Sequence, residues 1–341
     1  MQIKEKPEDF IVKENIALDI VPQPHKYAIY SLTKRQTNTI QAIDILTKKL
    51  GLQKRDIGFA GIKDKHAITT QYISLPNLPK TSLDKVLACN SDFLTLEFLG
   101  YAPRSIGTDI LVGNTFTLRV TDIRPHPCTH VINYFGEQRF SIDNAQIGKF
   151  LVQRNFKEAA SRIAGSAKTH NEKLVSAHLH EHPNDYIGAL RTLPRQTATL
   201  FVHAYQSLLW NRTIARLLNL ESESKSDNYI AIPRDWNDSY LAQLPEKIPL
   251  IGFFYEPKDW SPIVQEQISA IMQAEGISPR DFIIRQWGEI AEIGAIRATC
   301  ISLTDLELTE LGANEWRIAF SLPKGSYATV ALRFLANVTE K

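Results

Sequence analysis

The sequence predicts an α/β (α+β) fold in which a sheet-containing domain is interrupted by a mostly helical segment. Three observations support this prediction. Up to about residue 122, segments typical of β-strands surround one amphipathic helix. From about Asp143 helical periodicity dominates, and after about Ile293 strand-like segments return. We therefore expect a discontinuous outer domain of residues 1–150 and 295–341, and an inserted domain of residues 151–294.

The first part of the chain shows clear local signals. "YAIYSL", residues 27–32, is an apolar run typical of a strand. In "TIQAIDILTKKLGL" apolar residues recur at helical spacing, Asn38 or Thr39 can cap the start, and Gly51 can end the helix. The other segments typical of strands are "DIGFAG", "AITTQYISL", "FLTLEFLGYA" and "ILVGNTFTLRVTDI".

The later part of the chain changes from helices back to strands. Residues 221–262 are rich in Pro, Ser, Asp and Asn, which predicts irregular structure there. Helical periodicity is found in "AQIGKFLVQRNFKEAASRIAG", "TATLFVHAYQSLLWNRTIARLLNL" and "PIVQEQISAIMQAEG". The closing segments "AIRATCISLTDLEL" and "EWRIAFSL" are typical of strands.

The composition is that of an ordinary globular protein, with 43% hydrophobic and 22% charged residues in 341. No apolar run reaches the roughly 18 residues that predict a membrane span. The first ten residues are charged and contain no apolar segment of a secretory signal. Cys89, Cys128 and Cys300 are far apart and show no metal-binding spacing. We therefore expect a cytoplasmic location and no membrane partner.

The charge is unevenly distributed along the chain. Residues 1–150 contain 19 Lys and Arg against 15 Asp and Glu, whereas residues 211–310 contain 9 against 16. Such a distribution is typical of a protein with one basic working face. The basic residues that could contact phosphate groups are Lys34, Arg35, Lys48, Lys49, Lys54, Arg55, Lys63, Lys65, Arg139, Arg154 and Lys157.

The segment "FAGIKDKHAITTQ" contains the candidate catalytic residue. Asp64 lies between Lys63 and Lys65, after a turn that contains Gly61. Neighbouring ammonium groups and backbone N–H groups favour the ionised form of a carboxyl group. An ionised carboxylate can act as a nucleophile or as a base. The spacing alone is more typical of a surface cluster of ion pairs at a loop tip than of a catalytic site.

Several motifs, in order along the chain, resemble those of the TruD family of tRNA pseudouridine synthases. The segment around Asp64, "GFAGIKDKHAITTQ", is similar to the signature of that family. The other similar segments are "KEKPEDFIVKE" (Lys4 to Glu14), "LVGNTFTLRV" (Leu111 to Val120), "NYFGEQRFS" (Asn133 to Ser141) and "SLPKGSYATVALRFL" (Ser321 to Leu335). The resemblance covers nearly the whole chain.

This resemblance implies a fold, an activity and a nucleophile. The fold is the pseudouridine synthase catalytic fold, with a mixed, mainly antiparallel sheet and an inserted TruD-type domain. The activity is isomerisation of uridine to pseudouridine in tRNA, most often at position 13 of the D-arm, with Asp64 as the nucleophile. The resemblance implies no metal and no cofactor, and we expect a monomer that binds tRNA.

The resemblance also implies four substrate-binding residues. A carboxylate in a desolvated site needs a nearby cation, and the position of Lys4 matches such a cation in the family. A uridine in folded RNA has to be extruded from its stack before it can react. Asn133 can bind the edge of the uracil, and Phe10 and Phe135 can stack on it or line its pocket. Both phenylalanines also fit a core role.

Two other functions fit parts of the sequence. A glycoside hydrolase could use Asp56 and Asp64 as a pair of carboxyl groups. A catalytically inactive RNA-binding protein or RNA chaperone could keep the same fold. The segment "HLHEH", with His178, His180 and His182, is more typical of a solvated or RNA-facing loop than of a metal site, since zinc sites usually show a fourth ligand.

Overall fold

The computed structural model describes residues 2–3, 6–140, 143–165, 169–220, 228–233 and 236–336. These residues form two compact units. The sheet unit comprises the described residues up to Thr129 together with Ser302–Ala328. The helical unit comprises His130–Ile301 and the described residues from Thr329 onwards. The units begin and end at other residues than the domains expected from the sequence, and that division into domains stays a prediction.

The strands have the following bounds in chain order. They are β1 (Gln2–Ile3), β2 (Phe10–Ile16), β3 (Tyr27–Arg35), β4 (Gly58–Phe59), β5 (Ile68–Pro76), β6 (Leu94–Ala102), β7 (Leu111–Thr121), β8 (His130–Ile132), β9 (Lys247–Leu250), β10 (Ala295–Ala298), β11 (Cys300–Ser302), β12 (Thr304–Gly312) and β13 (Glu315–Pro323). The α-helices are α1 (Thr39–Leu50), α2 (Leu83–Leu87), α3 (Glu137–Phe140), α4 (Asn144–Val152), α5 (Phe156–Ala164), α6 (His170–Glu181), α7 (Tyr186–Arg191), α8 (Arg195–Leu217), α9 (Pro262–Glu275) and α10 (Ala328–Ala336).

One mixed sheet, of nine strands among the described residues, organises the sheet unit. Its main strand order is β12-β13-β7-β2-β5-β3-β6, with β1 beside β7 and β4 beside β5. Strands β2 and β5 run parallel, and the other paired strands run antiparallel. The predicted α+β class and the mainly antiparallel mixed sheet are thus confirmed. Strand β2 was not predicted from the sequence.

The strand register directs a set of polar side chains to one face of this sheet. Phe10, Val12 and Glu14 alternate along β2 with exposed residues, and all three are buried. Val12 pairs with Phe116 and with Thr69, and Thr69 in turn pairs with Lys34. Paired residues on neighbouring strands share a face. We call this face, which carries Phe10, Glu14, Lys34, Thr69, Gln71 and Asn114, the inner face.

Helix α1 covers part of the inner face, as its apolar spacing predicts. Its residues Ala42, Ile43, Leu46 and Leu50 are buried in one cluster with residues of β3, β5 and β6. The Asn38 side chain caps the helix by accepting a hydrogen bond of 2.8 Å from the backbone N–H of Gln41. Gly51 ends it with a φ of 62°, a left-handed conformation that glycine adopts without steric cost.

The helical unit is built around the long helix α8. Helices α4 and α9 pack against it, and its apolar residues are buried on several sides. The Glu275 carboxylate at the end of α9 accepts hydrogen bonds of 2.9 Å from Tyr205 and Arg212 of α8 and pairs with Lys149 of α4, also at 2.9 Å. Burial raises the pKa of Glu275, but these partners outweigh burial and hold the pKa below its usual value.

The described residues of the helical unit also contribute to two short pairs of strands. Strand β10 pairs antiparallel with β9, and β11 pairs with β8. Among the described residues of the region that was expected to be irregular lie strand β9 and two 3₁₀ helices, Asp238–Gln243 and Pro257–Asp259. Across the described parts of the chain, no helix combines the length and the apolarity that a membrane crossing requires.

Candidate active site

Asp64 lies on the loop of residues 60–67 that joins the antiparallel strands β4 and β5, here called the Asp64 loop. Strand β4, which leads into the loop, begins at Gly58, where a Cβ atom would lie only 2.1 Å from the Ser105 side-chain oxygen and 2.4 Å from that of Ser74. Glycine is therefore required for this close packing. The Asp64 side chain itself is exposed to solvent.

A buried lysine of the sheet forms hydrogen bonds with the backbone of the Asp64 loop. Lys34 of β3 has no exposed surface, and its Nζ donates hydrogen bonds to the carbonyl oxygens of Asp64 (2.7 Å) and Lys63 (3.3 Å). Burial lowers the pKa of Lys34 to about 8, while the Asp64 carboxylate opposes this shift and Lys63 adds to it. The structure thus places a cation beside Asp64 that comes from the sheet itself.

Two further buried side chains fix the backbone of the loop. Thr39, at the start of α1, accepts a hydrogen bond of 2.9 Å from the N–H of Lys63 and donates one of 2.8 Å to Gln71. Gln71 in turn donates to the carbonyl oxygen of Gly61 at 3.3 Å. Thr39 and Gln71 have no exposed surface, so water does not compete for these bonds.

The side chain of Lys63 points away from solvent into the sheet unit. Its Nζ lies 2.8 Å from Oε1 of the fully buried Glu14 and donates to Oδ1 of Asn114 at 2.9 Å. Glu14 also accepts a hydrogen bond of 3.0 Å from the backbone N–H of Tyr72. The expectation that Lys34 and Lys63 contact phosphate groups is therefore wrong, because both ammonium groups are buried and paired inside the protein.

The N-terminal motif contains two candidate substrate-binding residues, Lys4 and Phe10, and the structure describes only Phe10. Lys4 lies outside the described residues, as does Ser141 at the end of a later motif. Phe10 lies on the inner face with only 3% of its surface exposed, and its ring contacts Phe116 edge to face at 6.2 Å. Phe10 therefore belongs to the core of the sheet unit, and its second role, in a pocket for the base, stays a prediction.

Asn133 and Phe135 belong to the helical unit, where one arginine contacts both. The Arg297 guanidinium donates to Oδ1 of Asn133 at 2.6 Å and to its carbonyl oxygen at 2.9 Å. The same group lies 4.0 Å from the ring centroid of Phe135. Phe135 also contacts Trp210 edge to face at 5.7 Å, and its backbone exchanges two hydrogen bonds with the buried Asn211 side chain.

Asp56, the second carboxyl group of the glycoside hydrolase hypothesis, and the histidines of the "HLHEH" segment both have partners close by in the sequence. Asp56 accepts a hydrogen bond of 2.9 Å from the N–H of Gln53 within its own 3₁₀ turn. The expectation that this histidine segment forms a loop is wrong, because His178 and His180 lie in the last turn of helix α6 and His182 directly follows that helix. His178 pairs with Asp185 at 2.9 Å, and its ring centroid lies 5.0 Å from that of His182. In the described ranges, no group of three or more His, Cys, Asp or Glu residues could hold a metal ion.

The sequence analysis had considered Lys34 only as a phosphate contact, and it had given Glu14 and Arg297 no role in the site. For the first two, a signal was present. Lys34 follows Tyr30 and Leu32 at a spacing of two, and Glu14 follows Phe10 and Val12 in the same way, so alternation directs both to the buried face. Arg297 carries no comparable signal, because its partners lie more than 150 residues away in sequence.

Comparisons with known proteins match nearly the whole length of this chain to one family. The family model described as "tRNA pseudouridine synthase D (TruD)" matches residues 1–173, 163–232 and 243–335. Similar proteins include "tRNA pseudouridine synthase D" of Aquifex aeolicus, 29% identical, and "Probable tRNA pseudouridine synthase D" of Nanoarchaeum equitans, 30% identical, each with 98% of both chains covered.

A solved structure supports the same relationship at the level of the fold. It is the crystal structure of the putative tRNA pseudouridine synthase D (TruD) from Methanosarcina mazei. The TM-score is 0.72 at 26% sequence identity, and the alignment covers 99% of this chain and 94% of the other. The chain therefore belongs to the tRNA pseudouridine synthase D (TruD) family.

Proposed function

We propose that this protein isomerises uridine to pseudouridine in tRNA, at position 13 of the D-arm, with Asp64 as the nucleophile. The observation that carries the proposal is the Asp64 loop. The Asp64 carboxylate is exposed, and the backbone of its loop is fixed by hydrogen bonds to the buried side chains of Lys34, Thr39 and Gln71. A carboxylate held in this way is preorganised for attack on a bound nucleoside.

The reaction breaks the N-glycosidic bond of uridine, turns the uracil and joins its C5 to the ribose. Uridine and pseudouridine are isomers, so the reaction consumes no second substrate: C5 releases its hydrogen as a proton, and N1, which loses its bond to the ribose, takes up one proton from solvent. RNA bound over Asp64 would exclude water from the site, and burying a charged carboxylate is costly unless it is paired. The buried Lys34 ammonium offsets that cost, because a nearby positive charge favours the ionised form.

We assign recognition of the extruded base to the residues that the family resemblance suggested. Lys4 would supply a second cation to Asp64, Asn133 would bind the edge of the uracil, and Phe10 and Phe135 would line its pocket. The Arg297 guanidinium supports this role of Phe135, because it lies 4.0 Å from the ring centroid and fixes the position of the ring.

Release of the C5 hydrogen tests the proposal. Unmodified tRNA that carries tritium at C5 of its uracils is incubated with the protein, and tritium in water is measured. We expect release that saturates at one uracil per tRNA. An inactive RNA-binding protein or chaperone predicts binding without release. A glycoside hydrolase predicts cleavage of a sugar polymer and no release, and either result would refute the proposed function.

Phe10 separates a pocket role from a core role. Phe10→Ala should lower stability by about 3–5 kcal/mol, since the ring is buried against Phe116. If the ring also contacts the uracil, the folded protein should lose stacking of about 1–3 kcal/mol, seen as a slower single-turnover rate. Thermal unfolding and single-turnover kinetics are measured on the same preparation.

Phe320→Ala is the matched control for Phe10→Ala. Phe320 is fully buried in the same sheet and contacts Phe116 at 5.6 Å, but it lies in none of the motifs that match the family. We expect it to lose stability and to keep the wild-type rate per folded molecule. Equal rates for folded Phe10→Ala and wild-type protein would assign Phe10 to the core alone.

The affinity for tRNA should fall steeply with salt, because contacts with phosphate groups release counterions. Lys48 is exposed near the end of α1, so Lys48→Glu should weaken binding and lower the salt slope by about 1 per lost phosphate contact. Lys258→Glu is the control for charge, since Lys258 is exposed within the acidic residues 211–310. Binding that does not depend on salt would contradict the basic-face interpretation.

A further inference from the structure

The Asn133 amide is held at both of its polar atoms. Its Oδ1 accepts a hydrogen bond of 2.6 Å from Arg297, and its Nδ2 donates one of 3.1 Å to the carbonyl oxygen of Ala298. The backbone N–H of Asn133 also donates to the carbonyl oxygen of Thr299 at 2.8 Å. Three successive residues at the end of β10 and just beyond it therefore hold Asn133, which is 7% exposed.

These contacts define the orientation of the amide. A guanidinium group can only donate hydrogen bonds, so the amide atom that faces Arg297 has to be the oxygen. A flipped amide would direct N–H groups at Arg297 and the oxygen at the carbonyl of Ala298, and both hydrogen bonds would be lost. Arg297 itself is held by its second bond, to the Asn133 carbonyl oxygen, and by its stacking on Phe135.

A fixed amide has a consequence for base recognition. An amide can donate two hydrogen bonds and accept two. Among the described residues, Arg297 and Ala298 use one of each, which leaves one N–H and one lone pair of known position. Uracil presents an acceptor at O4 beside a donor at N3, and cytosine presents a donor at N4 beside an acceptor. A freely rotating amide can match either base, whereas a locked amide matches one.

We propose that Arg297 is the positioning residue that sets discrimination between uracil and cytosine, by locking the Asn133 amide in one orientation. This inference rests on the proposed function, because it requires that Asn133 binds the edge of the target base. It adds a specificity-determining role for Arg297, which contacts Asn133 and not the reacting atoms.

Equilibrium binding tests the inference without turnover. The protein carries Asp64→Asn throughout, and two tRNA transcripts are compared that differ only in uridine or cytidine at the target position. Binding is measured at elevated salt, where contacts with the phosphate backbone contribute less. We expect the Asp64→Asn protein to prefer the uridine transcript by a factor on the order of ten, the scale of one bidentate base contact.

Arg297→Met should reduce this preference to about one while the protein remains folded. Arg297→Lys keeps the positive charge but cannot bridge the two Asn133 oxygens as a fork, so it should also lose most of the preference. Asn133→Ala should give the same loss. Arg191→Met is the matched control, since Arg191 also donates to a backbone carbonyl, that of Gln286, and should leave the preference unchanged.

Three outcomes would overturn the inference. One is a preference that survives in both Arg297 variants, because equal weakening of both transcripts indicates a purely structural role. Another is a preference lost equally in Arg191→Met. The last is a protein without any preference before Arg297 is changed. Failure of the proposed function would be seen separately, as absence of tritium release from the uridine transcript by the protein with Asp64 intact.

Discussion

Asp64→Asn is expected to form no pseudouridine while it keeps its fold and its affinity for tRNA. Asparagine is nearly isosteric with aspartate but cannot become a carboxylate nucleophile. Loss of a residue that forms the reacting bond lowers rates by roughly 10⁴-fold or more. We therefore expect a single-turnover rate at least that far below the wild-type rate.

The structure explains why the fold should survive this change. The Asp64 side chain is exposed, and Lys34 holds the loop through the backbone carbonyl oxygen of residue 64, which asparagine retains. Substitutions at exposed positions usually change stability by less than about 0.5 kcal/mol. The melting temperature and the dissociation constant for tRNA should consequently match those of the wild-type protein.

Asp56→Asn is the matched control for Asp64→Asn. Asp56 accepts a hydrogen bond from the N–H of Gln53, and the asparagine oxygen can accept the same bond. We expect wild-type rates for this variant. A carboxylate pair would require both residues, so equal losses in the two variants would favour it. Retention of more than a small fraction of the rate in Asp64→Asn would remove the nucleophile assignment.

Lys34→Met is expected to have the second largest effect on the rate. The ammonium group binds two carbonyl oxygens of the Asp64 loop, and methionine can bind neither. A displacement of about 1 Å at a reacting group can slow a reaction roughly 10²-fold. Stability should fall by about 1–3 kcal/mol, because two carbonyl oxygens of the loop lose their buried hydrogen-bond donor.

The pH dependence identifies the Lys34 charge as the cause. Burial lowers the pKa of Lys34 from 10.5 to about 8 in the folded protein. The single-turnover rate of the wild-type protein should therefore fall above pH 8 as this proton is lost. Between about pH 8 and 10.5 the unfolded chain binds more protons than the folded protein at this residue, so its contribution to the free energy of unfolding rises with pH.

Rate and stability thus move in opposite directions in this pH range, which separates loss of the Lys34 charge from alkaline unfolding. In Lys34→Met the rate should be low at every pH and show no fall near pH 8. Lys13→Met is the control, since Lys13 is exposed on the opposite face of β2. An unchanged alkaline fall in Lys34→Met would assign that titration to another group.

The sequence alone allowed the elements with strong local signals to be predicted. Helix α1 has regular apolar spacing, a capping asparagine and a terminal glycine, and the structure places it at the expected residues. Strands β3, β5, β6 and β7 likewise follow from apolar and β-branched runs. In each of these segments the local preference and the tertiary environment agree, which is why the pattern was sufficient.

Strand β2 and the buried charges could not be predicted with the same ease. "FIVKENI" contains two charged residues in seven, and it forms a strand because β5 and β7 pair with it on either side. Glu14 is stable inside the protein because Lys63, far away in sequence, pairs with it at 2.8 Å. Burial of a charge depends on its partner, and the partner is known only when the fold is known.

Motifs in the sequence named some residues of the candidate site, whereas the residues that position them could not be predicted. Asp64, Asn133 and Phe135 could be named from their place in motifs that resemble a family. The groups that hold them, Lys34 below the Asp64 loop and Arg297 beside Asn133, required the strand register and the packing of the helical unit. Positioning residues leave weak sequence signals because their function depends on contacts that the fold creates.

Mapping of pseudouridine at single-nucleotide resolution tests the central claim most directly. An unmodified tRNA transcript with uridine at position 13 is incubated with wild-type protein and, in parallel, with Asp64→Asn, and pseudouridine is located by chemical modification and primer extension. We predict one new pseudouridine, at position 13 of the D-arm, with the wild-type protein and none with Asp64→Asn. Absence of any pseudouridine with the wild-type protein, or the same modification with both proteins, would contradict the account.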